Sequence, residues 1–314
     1  MTTRRCLLRL LPAAWLAAAC RQEELPSRYR LPEQPLTVIT SSVQAADLVR
    51  QVGGEAVAVR SLIPPEANPH LWQPTAADHA AIRTADVFIL SGLSLESRFQ
   101  EDLNALRQGG LVVGVLANGL AEEDILQGPA KKAEPHFWMN PLLWAKAATE
   151  VGAVLAEASP PALSWFADRA HEYGTELARL HQELARRLAV IPARSRFLLS
   201  SHDSMAYFGK AYGLETRGLC PAGDAPPEKP SAELSDWTAD HQVRTLFREH
   251  FTPAAAVLPL SRQLKLLGEL PIFSLSLAAP GTRLPGASNE LKVDSYLPAL
   301  RYTAEAILGR LKDE

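Results

Sequence analysis

The chain has 314 residues, 47% hydrophobic and 21% charged, with a formal net charge of −3. That balance is ordinary for a globular protein, and the length allows one large core or two medium ones. A slight acidic excess with no lysine or arginine run argues against nucleic acid as a partner, and no internal stretch approaches the ~18 apolar residues that span a bilayer.

In chain order, the first feature is an export signal. "MTTRRCLLRLLPAAWLAAAC" has a basic start (Arg4, Arg5, Arg9), a short apolar run and small residues before Cys20, and such a segment stands outside the fold. Its end resembles a bacterial lipobox, whose cysteine is acylated after cleavage, with Ala17 where leucine is usual. "TRRCLLR" also resembles a twin-arginine motif. Residues 1–20 are therefore assigned to export and lipidation, which places the protein outside the cytoplasm, on the periplasmic or cell-surface side, anchored to the membrane through Cys20. Losing the three signal arginines takes the net charge from −3 to −6, so the lipid and not surface charge would hold the membrane. Cys6 leaves with the signal, Cys20 carries the lipid, and Cys220 remains alone, a structural or incidental thiol with no disulfide partner. The polar, proline-bearing residues 21–35 read as a tether.

"LTVITS" (36–41) then reads as a strand and "VQAADLVRQVGG" as a helix closed by glycine. A strand over 56–63 ends at Pro64-Pro65. A helix over about 75–83, a strand over 86–92, a helix around 96–107 and a strand over 111–116 continue the alternation, the pattern of βαβ units and a mainly parallel sheet. An apolar helix over 142–158 stops at Pro160-Pro161. Leu163, Phe166, Ala170, Tyr173, Leu177, Leu180, Leu184 and Leu188 then recur at steps of three and four, the stripe of one long amphipathic helix. Beyond it the sequence reads as strand 196–200, helices at about 204–212 and 231–243, strands at about 254–258 and 271–277, and a last helix over 294–312. The fold class is α/β: a first lobe over 36–159, a linking helix over 160–192 and a second lobe over 193–314.

Two phrases repeat. "NPHLWQPT" holds His70 and "EPHFWMNP" holds His136, each imidazole following a proline and preceding a tryptophan by two residues. Prolines and aromatics restrict a loop and can hold a ring in place. His202 in "FLLSSHDSMAYFGKAYGL" sits just past an apolar strand. Ligands of open α/β sheets bind outside the carboxyl ends of strands, so three histidines there can converge, and imidazoles suit zinc better than magnesium or calcium. His79, His171, His181, His241 and His250 lack a repeated setting; His171 and His181 belong to the solvated face of the long helix.

The phrases "NPHLWQPT", "EPHFWMNP", "SSHDSMAYFGKAYGL" and "VRTLFREHF", in this order around a long helix, resemble the metal-binding lipoproteins of bacterial ABC importers for zinc and manganese. The resemblance spans about residues 36–312. It implies two Rossmann-like lobes joined by a rigid helix, a metal cleft between them, and delivery by a monomeric receptor to an ABC permease in the inner membrane. His70, His136 and His202 match the family's three leading ligands. The manganese branch has glutamate where His202 stands, so Zn2+ is the expected cargo over Mn2+. The family's fourth ligand, a late aspartate, is replaced here by Leu275. Glu249 in "REHF" matches a family glutamate and is expected either on the metal as the fourth ligand or behind the ligands. A histidine-rich loop before the second histidine phrase is absent from this sequence. A manganese or iron receptor, a family member with degenerate metal affinity, and a zinc hydrolase using Asp203 or Glu249 as base are the alternatives. No H-E-x-x-H spacing supports the last.

Overall fold

The computed structural model describes residues 29–65, 67–97, 103–128, 132–220, 227–274, 276–285 and 290–313. The export and lipidation segment with Cys20, most of the expected tether, and Leu275 lie outside the described residues. The end of the expected tether is not free: Tyr29 stacks edge-on against Trp165 and donates its hydroxyl to Asp168 at 2.7 Å.

Strands β1 (Leu36–Thr40), β2 (Val57–Ser61), β3 (Val87–Leu90) and β4 (Val112–Val115) form a parallel sheet in the order β2-β1-β3-β4. Parallel strands are joined by crossovers and covered on both faces. Here α1 (Val43–Gly53), α2 (Ala76–Arg83) and α3 (Leu103–Gln108) cross over, and α4 (Pro141–Ala158) packs on β4 and α1. Side chains that accept orphan N–H groups start these helices. Ser42 accepts from Ala45, Thr75 and Asp78 form a reciprocal capping box, and Asn140 accepts from Leu142 ahead of Pro141.

The linking helix α5 (Leu163–Leu188) has 26 residues, about 39 Å at 1.5 Å per residue. Its predicted stripe is buried from Phe166 to Leu188, whereas Leu163 is 60% exposed and Trp165 is buried in its stead. The reason is at the helix start, where Trp165 Nε1 donates to Gly53 O at 2.9 Å and Arg169 donates to Gln51 O. The helix packs on α1 and α4 of the first lobe and on α6 and α9 of the second.

The second lobe comprises β5 (Phe197–His202), α6 (Ala206–Tyr212), β6 (Glu215–Cys220), α7 (Ala232–Asp240), β7 (Thr245–Glu249), α8 (Ala254–Gln263) and β8 (Gly268–Ile272). A small antiparallel pair, β9 (Arg283–Pro285) and β10 (Glu290–Lys292), precedes α9 (Tyr296–Leu311). Its main sheet is parallel in the order β6-β5-β7-β8, the same topology as the first.

The structure corrects the sequence reading in the second lobe and beyond, and the strand expected at about 271–277 lies at Gly268–Ile272. Residues 254–258 begin a helix, not a strand, and the strand lies earlier, at Thr245–Glu249. Arg248 and Glu249 interrupt its apolar run, yet both are bonded within the fold, to Glu269 and Ser274 respectively. β6 and the β9–β10 pair were not expected. The helix expected from 96 is described only over Leu103–Gln108, and residues 93–97 form a turn that follows the positive φ of Gly92 and includes those of Leu93 and Ser94 (88°, 50° and 63°). His202 is the last residue of β5 and not beyond it.

Candidate metal centre

In each sheet the order reverses between the first strand and its neighbours, the switch point outside which open α/β sheets hold their ligands. His202 ends β5, His70 lies in the loop after β2, and His136 lies between β4 and α4. Each is set locally. Asn68 takes the N–H groups of His70, Leu71 and Trp72 on its side-chain and backbone oxygens, folding a tight turn. His136 precedes a 3₁₀ turn, Phe137–Met139, that leads into α4. The His202 carbonyl accepts Ser200 Oγ at 2.6 Å and Ser204 N at 2.9 Å, and Asp203 N donates to Cys220 O on the adjacent strand. Gly218 lets that corner close, since a Cβ there would lie 2.4 Å from Asp203 N.

The structure brings all three predicted histidines together. All are buried, His136 completely, and their ligand nitrogens lie within 4.8 Å of one another. His70 Nε2 and His136 Nε2 are 2.9 Å apart, and His202 Nε2 is buried without a protein partner. Among the described residues these three are the group so placed. Burial pushes the His70 imidazole down to about 3, with His136 adding to the fall. Burial likewise holds His202 well below its ordinary value, helped by His136 and His70. The crowding disfavours a proton on His70 and on His202, and a neutral ring offers its lone pair to a metal ion.

The tryptophans of the repeated phrase do different things. Trp138 packs edge-on against His136 at 5.3 Å, whereas Trp72 packs away, beside the cluster of Ile39, Ile82 and Phe88. Glu249 is almost fully buried at the end of β7, and its carboxylate is not in the group gathered within 4.8 Å. It accepts Ser274 N at 3.0 Å and Ser274 Oγ at 2.6 Å, and contacts His250 Nδ1 at 2.9 Å. Asp203 faces Glu134 and His136, and burial raises its carboxyl above the usual range. Leu275, beside Ser274, lies outside the described residues.

Sequence reading missed Glu134. Its buried carboxylate contacts His136 Nδ1 and accepts His136 N at 3.1 Å. A carboxylate on Nδ1 fixes the tautomer, turns the lone pair of Nε2 outward, and raises the basicity of the ring as a ligand. The signal was present in "EPH": an acid two residues before a histidine, across a proline-fixed turn, reaches back to its ring. Outside this group, His181 is not simply solvated, since its ring faces Tyr212 at 5.4 Å.

The family model described as ZnuA, zinc-uptake complex component A periplasmic, matches residues 38–309. The manganese-binding lipoprotein MntA of Bacillus subtilis is 31% identical over 219 residues, 69% of this chain and 72% of its own length. The zinc-binding protein TroA of Treponema pallidum is 28% identical over 254 residues, 78% of this chain and 82% of its own. The solved structure of the periplasmic zinc-binding protein TroA from Treponema pallidum has a TM-score of 0.77 at 26% identity, covering 88% of this chain and 99% of that one.

Proposed function

The chain belongs to the ZnuA family of periplasmic zinc-uptake components, metal-binding receptors of ABC transporters, and from that premise we propose that its cargo is Zn2+, held by His70, His136 and His202. The observation that carries this reading is the convergence of three buried imidazoles whose ligand nitrogens lie within 4.8 Å of one another. Relatives are named for manganese, zinc and iron, so the choice of metal rests on the donors. Zinc is borderline-soft and takes imidazole nitrogens in a tetrahedral shell, whereas manganese suits carboxylate and water oxygens. Two buried carboxylates nearby have other partners, Glu134 on His136 and Glu249 on Ser274 and His250. Leu275 offers no side-chain donor, which leaves a fourth position open to water.

Delivery to an inner-membrane permease follows from the family role, with the receptor a monomer anchored through lipid on Cys20. Metal content and a competitive zinc titration of the full chain, beside His136→Ala, test the reading. One zinc per chain, displaced little by Mn2+ and lost in the variant, is expected. Tighter Mn2+ than Zn2+, or zinc binding untouched by the substitution, refutes it.

A further inference from the structure

The segment Glu134–Met139, which carries His136, is continuous in sequence with the first lobe, yet its long-range hydrogen bonds go to the second. Tyr207 on α6 donates its hydroxyl to Glu134 O at 3.1 Å and accepts Leu126 N at 3.0 Å, closing the short ladder between Gln127 and Ala133. Trp138 Nε1 donates to Ser274 O at 2.7 Å. Tyr296 on α9 donates its hydroxyl to Trp138 O. Ser274 is itself fixed, because Glu249 takes both its N–H and its hydroxyl, and that hydroxyl also meets Ser204 Oγ at 2.7 Å, two residues past His202.

Within the first lobe the segment's hydrogen bonds are fewer, although Phe137, Trp138 and Met139 share a buried core with α1 and α4, and Tyr296 N donates to Asp47 on α1. Glu134 N bonds Leu126 O inside its own hairpin, and Phe137 packs on Trp144 of α4, a ring that in turn faces Tyr296 at 5.6 Å. Asn140, between the 3₁₀ turn and α4, is extended (φ −115°, ψ 111°), a joint between the segment and that helix. The turn bearing His70 differs. It is held by Asn68 and by Trp72 on the first lobe's own cluster, while His70 Nε2 lies 2.9 Å from His136 Nε2 and its ring 4.9 Å from that of His202.

We propose that Tyr207, Ser274 and Tyr296 are positioning residues that make Glu134–Met139 a fixed part of the second lobe, so that His136 and His202 form one preset pair of nitrogen ligands. His70 is then the ligand that the first lobe brings to this pair. The metal half of the claim rests on the proposed function, and the mechanical half does not.

Both halves are tested with Tyr207→Phe and Tyr296→Phe in the full chain, and with Tyr212→Phe as control. Tyr212 is on α6 with Tyr207, and its buried hydroxyl has no partner. In the metal-free protein, amide hydrogen exchange across residues 126–140 is expected to rise about threefold or more in both variants and to stay unchanged in the control. Zinc release to a chelator is expected to quicken by about two- to tenfold per hydroxyl, the worth of one neutral hydrogen bond. Exchange over 126–140 that is unchanged, or that rises equally in Tyr212→Phe, overturns the proposal. So does unchanged zinc release in a variant whose exchange has risen. Should the native chain hold no zinc, the cargo falls while the exchange experiment still decides the clamp.

Discussion

Glutamine at position 134 would keep the shape of the glutamate and one acceptor oxygen while removing the charge opposite His136 Nδ1. Glu134 is buried, and it accepts both the ring and the backbone N–H of His136. A hydrogen bond to a charged partner contributes about 1.5–3 kcal/mol, against about 0.5–1.5 kcal/mol for a neutral one. The difference, on the order of 1–1.5 kcal/mol, corresponds to about tenfold in zinc affinity. Alanine would also free the ring and strip the acceptor from His136 N, so Glu134→Ala should lose up to about a hundredfold, the upper end for residues that orient a ligand. Competition for Zn2+ against a chromophoric chelator at neutral pH measures both variants, with circular dichroism and the melting temperature confirming the fold. A Glu134→Gln protein that melts like the native one and binds zinc equally well would refute the orienting role.

Three further outcomes follow from the same geometry. In the metal-free protein the His70 ring stays neutral down to about 3, against an ordinary 6.5. The unfolded chain therefore takes up the proton first as pH falls, so the stability contribution is full above 6.5 and drains between 6.5 and about 3. The urea midpoint should drop from pH 7 to pH 4.5 and drop less in His70→Gln; an identical slope in the variant counts against it. Gly218→Ala would put a Cβ 2.4 Å from Asp203 N and 2.5 Å from its Cα, forcing backbone to move. A loss of about 1–3 kcal/mol by urea titration is expected, with weakened zinc binding because Asp203 follows His202, and an unperturbed variant would show that the corner yields freely. Glu249→Gln should leave the d–d spectrum of the Co2+-loaded protein unchanged, since its carboxylate is spent on Ser274 and His250; an altered spectrum would put Glu249 on the metal.

The fold was legible wherever local chemistry and tertiary packing agree. The α5 stripe follows helical spacing and is buried from Phe166 to Leu188, and Ser42, Thr75 and Asn140 are capping residues by type as well as in fact. Misreadings fell where they disagree. The strand Thr245–Glu249 ends in Arg248 and Glu249, charged residues that a sequence reader places outside a sheet. They are inside because Glu269 and Ser274, more than twenty residues away in each case, meet their charges. The run Ala254–Leu260 was apolar enough for a strand, but its alanines favour a helix and only Val257 and Leu260 among its residues face the core.

The candidate site divides along the same line. The converging histidines were legible because their loops are built from neighbours in sequence: proline before, tryptophan after, asparagine two residues ahead of His70. The partners that hold those loops in register were not, because Tyr207, Ser274 and Tyr296 reach Glu134 and Trp138 from 73, 136 and 158 residues away. No local pattern distinguishes such a tyrosine from Tyr212, whose hydroxyl is equally buried and meets nothing. A binding pair assembled from two lobes thus leaves its chemistry in short motifs and its geometry in contacts that only the folded chain creates. Sequence motifs alone therefore pick out which histidines gather in the cleft. Which of them move together is set by the second lobe's hold on His136.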